Sequence, residues 1–183
     1  MATTYCDAVK KSEVGEVHRK YHDAEYGYPI HDDDALFGRL ILEINQAGLS
    51  WTTILNKKDN FHDAYDGFQI EKVAAYKQRD IRRLLNNAGI IRNRLKIEAA
   101  ISNAGRIKKL QIEFGSFENW LDYHHPKTKE QWVKLFKEHF RFTGGEIVNE
   151  FLMSIGYLPG AHQNNCPVYK KVLKQKPAWC RKK

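Results

Sequence analysis

Apolar residues recur three and four positions apart along nearly the whole chain, and alternating β-branched runs are nearly absent. A hydrophobic period of about 3.6 is buried only by packing helix on helix, so the sequence predicts an all-α domain. Asp32, Asp33 or Asp34 can cap a helix running to about Gln46, with Leu36, Phe37, Leu40, Ile41, Ile44 and Ala47 as its apolar positions. Ser50 caps a second helix carrying Ile54, Leu55 and Phe61. Residues 71–76 and 79–87 read as two short helices, and 93–107 as a longer one. Ser116 caps a short helix with Trp120 and Leu121. Thr128 and Gln131 form a capping box ahead of Trp132, Leu135 and Phe136. Ile147, Val148, Phe151, Leu152 and Ile155 make the last amphipathic helix, and Gly156 is its natural stop.

The 183 residues, 42% of them hydrophobic, suffice for one core, so a single domain over 1–183 is expected, its two helical lobes sharing that core. No apolar run approaches the ~18 residues of a membrane helix, and the N-terminus lacks a secretory h-region. Three cysteines, an odd and sparse set, point away from a disulfide scaffold and toward a reducing, cytoplasmic compartment. The charge is +8, concentrated in residues 77–109 and 170–183. It favours a polyanionic partner, nucleic acid first, although a basic surface that merely keeps the chain in solution gives the same arithmetic.

Cys6 and His22 lie near one end of the chain, His162 and Cys166 four residues apart near the other. Two thiolates and two imidazoles are a common tetrahedral zinc set, and such a site would tie the two ends together. Structural cysteines among scattered histidines are the alternative. Glu43 falls on the stripe Leu36, Leu40, Ala47, where a carboxylate is costly unless it is paired, reaches solvent or serves a site. Gly48 then ends the helix, leaving Leu49 and Trp51 on a turn, either as core or as a wedge for a base stack. Tyr21, Tyr26, Tyr28 and Trp51 can stack a planar ligand or pack in the core. Around residues 80–105, two helices flank a turn with Gly89, followed by Arg92, Arg94 and Lys96. That hairpin can offer N–H groups and a helix dipole to a phosphate, or be an ordinary helical corner with a basic face.

The string Tyr21-His22-Asp23-Ala24-Glu25-Tyr26-Gly27, followed by Leu42-Glu43-Ile44-Asn45-Gln46-Ala47-Gly48-Leu49-Ser50-Trp51, resembles the bacterial DNA-3-methyladenine glycosylase I family. The segment Ala88 to Ile97 matches that family's hairpin, and the resemblance runs from Cys6 to about Tyr169. It implies the helix-hairpin-helix DNA glycosylase fold, with a structural zinc held by Cys6, His22, His162 and Cys166 clasping the termini. It also implies a monomeric, cytoplasmic, nucleoid-associated bacterial repair enzyme that excises 3-methyladenine from alkylated double-stranded DNA. Glu43 falls on the carboxylate that recognises the extruded base and carries the catalysis. Tyr21, Tyr26 and Trp51 fall on the substrate-binding aromatics. Gly48 and Leu49 fall on the loop that plugs the duplex, and Gly89, Arg92, Arg94 and Lys96 on the DNA-anchoring hairpin. Several places depart from the pattern: Tyr26 stands where the family usually has Trp, Cys6 is followed by Asp7-Ala8 where the family has an aromatic two residues on, Phe142-Thr143-Gly144-Gly145-Glu146 lacks the usual threonines, and Leu158-Pro159-Gly160-Ala161 is an unusual approach to His162. A zinc-stabilised DNA-binding module without catalysis, or a glycosylase for another alkylated purine, are the alternatives.

Overall fold

The computed structural model describes residues 4–11 and 15–181, and among them it is helical, with no strand. In chain order the helices are α1 (Tyr5–Ala8), α2 (Glu16–Ala24), α3 (Asp33–Gln46), α4 (Trp51–Asn56), α5 (Lys58–Ala64), α6 (Ile70–Ala74) and α7 (Gln78–Leu85). They continue as α8 (Arg94–Phe114), α9 (Phe117–His124), α10 (Lys129–His139), α11 (Gly145–Ser154) and α12 (Pro167–Lys174).

The middle of α3 is covered on every side: all residues from Leu36 to Asn45 are buried. Helices α4, α5, α6, α8, α9 and α11 surround it. A helix covered all round is a core element, so Glu43 is buried because its helix is central, not because it sits on one stripe. The large aromatic residues Trp120, Trp132, Phe117, Phe136 and Phe151 fill the space between α9, α10 and α11.

The acidic run at 32–34 holds three helices in place at once. Asp32 accepts from the Ala35 N–H at 2.8 Å and caps α3. Asp33 accepts from the Phe117 and Glu118 N–H groups at 2.8 and 3.1 Å, satisfying the start of α9. Asp34 accepts from the Ile70 N–H at 2.8 Å at the start of α6. Helix N-termini leave several N–H groups without partners, and a carboxylate there satisfies both the donors and the dipole.

Other boundaries differ from the sequence pattern. The helix capped by Ser50 ends at Asn56, and a second begins at Lys58. The one predicted over 93–107 continues to Phe114, where Gly115 at φ +87° stops it. Helix α11 is not the last: α12 follows, with Pro167 at its first turn. Helix α1, four residues long, is too short to show a period, and α2 keeps helical spacing in Val17, Tyr21 and Ala24 but has few apolar residues among its charged ones. Lys182 and Lys183 of the basic tail lie outside the described residues.

Candidate active site

A cavity of about 600 Å³ opens beside the C-terminal half of α3. Tyr5, Tyr21, Tyr26 and Trp51 form aromatic walls, and Glu43 and Glu150 contribute two carboxylates. Tyr21 packs edge-on to Trp51 at 5.2 Å between ring centroids and lies 5.5 Å from Tyr26. Trp51 is the first residue of α4, put there by the Ser50 cap, so its ring is half-buried at the cavity rather than lost in the core.

Glu43 is only 4% exposed. Among the described residues none hydrogen-bonds to its carboxylate. Arg39, one turn earlier, spends its guanidinium elsewhere: Nη1 donates to the Tyr21 hydroxyl at 2.5 Å and Nη2 to Glu25 at 3.1 Å. The buried Glu–Arg pair that would have made Glu43 structural is therefore absent among the described residues. Burial, aided by the nearby charge of Glu150 and opposed by Arg39, pushes the Glu43 carboxyl up to about 8. Behind the cavity Lys58 donates to both Glu25 oxygens, at 2.5 and 2.6 Å.

Cys6, His22, His162 and Cys166 converge next to the same cavity, all buried, their ligand atoms within 4.8 Å of one another. His22 Nε2 lies 3.4 Å from Cys6 Sγ and 3.7 Å from Cys166 Sγ, while His162 Nδ1 lies 3.7 and 3.9 Å from them. The two imidazole nitrogens are 3.2 Å apart. The opposite ring nitrogens are held as well: His22 Nδ1 by Asp23 at 2.7 Å and His162 Nε2 by the Tyr26 carbonyl at 2.7 Å. Such outer partners orient an imidazole for a metal, and the group could hold a metal ion. Gly27, at φ +82°, makes the approach possible, since a Cβ there would lie 2.8 Å from Ala161 and 3.3 Å from the His162 ring.

The turn after α3 carries Gly48 at φ +81°, with open space around it, and Leu49, which is 40% exposed. Across from it, α7 and α8 flank the segment 86–93, with Asn93 capping α8. Arg92 and Arg94 are exposed, the latter 3.5 Å from Glu98. Gly89 is half-buried, and its N–H donates to the Asn87 side chain at 2.8 Å. Lys96 points the other way. It is 4% exposed, and its ammonium donates to the carbonyls of Asn45 at 2.9 Å and Ala47 at 2.7 Å, closing the end of α3.

Sequence reasoning missed several cavity residues, Tyr5, Gln46 and Glu150 among them. Glu150 was detectable by the argument that singled out Glu43: it lies three residues after Ile147 and one before Phe151, against the apolar face of α11.

A family model described as methyladenine glycosylase matches residues 11–138. The chain belongs to the methyladenine glycosylase family. It is 33% identical to a DNA-3-methyladenine glycosylase of Haemophilus influenzae, over 90% of this chain and 97% of that one. It is 35% identical to DNA-3-methyladenine glycosylase 1 of Escherichia coli, over 81% and 89%. Among solved structures, the 3-methyladenine DNA glycosylase I of Staphylococcus aureus superposes with a TM-score of 0.80 at 33% identity, covering 91% of this chain and 97% of that one. A 3-methyladenine DNA glycosylase I variant in complex with 3-methyladenine gives 0.79 at 33% identity, covering 88% and 95%. These methyladenine glycosylases are similar to this chain over nearly their full length. In the family member described here, no helix among the described residues is long and apolar enough to cross a membrane.

Proposed function

We propose that this methyladenine glycosylase holds an extruded 3-methyladenine in the aromatic cavity against Glu43. The reaction is DNA repair by hydrolytic removal of 3-methyladenine, by a monofunctional glycosylase. The observation that carries the reading is Glu43 itself: a buried carboxylate without a hydrogen-bonding partner among the described residues, on the wall of a cavity lined with tyrosines and a tryptophan. Methylation at N3 makes adenine cationic, and the base then leaves neutral, so the glycosidic bond is weakened before the enzyme acts. What the protein supplies is a pocket that accepts the flipped base and rejects others. An ionised Glu43 accepts from the amino group and complements the charge. Tyr21, Tyr26 and Trp51 offer π-faces to the same cation. No Asp occurs between Asp80 and Asp122, which agrees with a site that relies on an activated substrate.

Double-stranded DNA carrying alkylated bases docks on the side that bears Leu49 and the α7–α8 turn, a helix-hairpin-helix in this reading. Leu49, carried on the left-handed turn at Gly48, enters the stack where the base has left. Arg92 and Arg94 face phosphates, and Gly89 lets the turn come close to the backbone. Lys96 acts at one remove, by holding the carbonyls of the wedge turn. The protein works as a monomer.

Zinc is the metal that suits the Cys6, His22, His162 and Cys166 set. Tetrahedral zinc with bonds of about 2.0–2.3 Å sets its ligands about 3.3–3.8 Å apart, close to the 3.2–3.9 Å separations of the pairs that involve a histidine. Four protein ligands leave no open position, so the ion would be structural. Incubating the protein with methylated and unmethylated duplex and assaying free bases tests the activity. Free 3-methyladenine from the methylated duplex alone is the expected product, and binding without release would instead make the chain a DNA-binding module.

A further inference from the structure

We propose that Glu150 is a second recognition carboxylate of the cavity, held ready by the Tyr26 hydroxyl, so that the pocket selects purines that arrive with a positive charge over neutral ones. The proposal rests on the reading of this cavity as the base pocket. Glu150 comes from α11, which packs against α3, and it lines the cavity together with Glu43. Its Oε2 accepts from the Tyr26 hydroxyl at 3.1 Å. Tyr26 is itself 7% exposed and wedged between Tyr5 and Tyr21, so the donor is fixed before any ligand arrives.

Neither carboxylate has a neutralising partner among the described residues. The cations nearest to them are engaged: Arg39 with Tyr21 and Glu25, and Lys129 with Glu146 at 2.9 Å. The groups that act on Glu150 are Tyr26 from the segment after α2, Glu146 and Asn149 from its own helix, and Lys129 from α10. Glu43 adds a like charge from α3. Two carboxyl groups in a half-enclosed aromatic cavity disfavour each other's ionisation, and their charged forms are poorly hydrated there. A cation entering between aromatic faces relieves both penalties, and a neutral purine relieves neither. Selectivity of this kind comes from what the empty pocket lacks as much as from what it offers.

The test uses two small ligands that differ by one N3 methyl and the charge it brings, 3,9-dimethyladeninium, cationic at neutral pH, and neutral 9-methyladenine, titrated calorimetrically into the full chain. Wild type should prefer the cation. Glu150→Gln should weaken cation binding about tenfold and leave the neutral ligand unchanged, with the melting temperature preserved. Tyr26→Phe should lose part of the same preference. An equal loss for both ligands, or no loss, overturns the proposal. Glu150→Ser is the second variant, and a melting temperature lowered by more than about 10 °C in both variants makes Glu150 structural and also overturns it. If the cation binds wild type and Glu43→Gln equally well, the base-pocket reading falls instead. Loss of binding in Glu43→Gln with none in Glu150→Gln rejects Glu150 alone.

Discussion

Glu43 carries a proton in the free protein to an unusually high pH, because burial disfavours its charge and Glu150 adds to the effect. A carboxyl whose folded value is raised stabilises the fold below the ordinary carboxylate range, and that stabilisation is lost as pH rises through about 8. Glu43→Gln, neutral throughout, should therefore melt above wild type at about pH 8–9 and lose that advantage toward about pH 4, a trend that thermal melts across pH would display. Excision should run opposite. Only the ionised form complements a cationic base, so wild-type kcat/KM should climb with pH through about 8 while the variant stays flat. Single-turnover rates across the same pH series check this. At this scale the sequence was half legible. Glu43 stood out against the apolar period, but nothing in a single sequence says that Arg39 turns to Tyr21 and Glu25 rather than to Glu43. Glu150 went unnoticed because its helix has enough apolar residues to read as an ordinary amphipathic one.

Helices α3 and α8 pack against each other in the core, and one polar side chain ties their ends together. Lys96 belongs to the basic run that follows the hairpin, and by composition it groups with Arg92 and Arg94, yet its ammonium caps the end of α3. The two kinds of residue should respond differently. Arg94→Ala or Arg92→Ala should lower the log–log salt slope of duplex binding by about 0.9 each. Lys96→Met should leave that slope unchanged, because the lost bonds are internal. It should nonetheless slow base release about five- to tenfold by loosening the turn that carries Gly48 and Leu49. Binding isotherms at several salt concentrations, with single-turnover rates on the same variants, separate these outcomes. The helix starts were legible where a side chain supplies the cap, as at Asp32, Ser50, Asn93, Ser116 and Thr128. The second task of the acidic run was not: Asp33 and Asp34 serve helices far ahead in sequence, and local patterns carry no trace of that.

Across the whole molecule, the Cys and His cluster joins the two ends of the chain, and each end brings a wall of the cavity with it. Tyr5 precedes Cys6, Tyr21 precedes His22, and Ala161 precedes His162, and all three lie on the cavity. Metal analysis should find about one zinc per chain. Its removal by a chelator should lower the melting temperature and also slow base release, because the walls separate when the clasp opens. Wild-type stability and activity after complete chelation would remove the metal from the account. The long-range closure was legible only as a set of residue types, since spacing cannot bring residue 6 to residue 166. The central claim is that a buried, uncompensated carboxylate reads a cationic base. The most direct test is single-turnover release of 3-methyladenine from methylated duplex by wild type and Glu43→Gln, normalised to folded protein. The expected result is a fall of about 10- to 150-fold in the variant with duplex affinity retained. Unchanged release per folded molecule would contradict it.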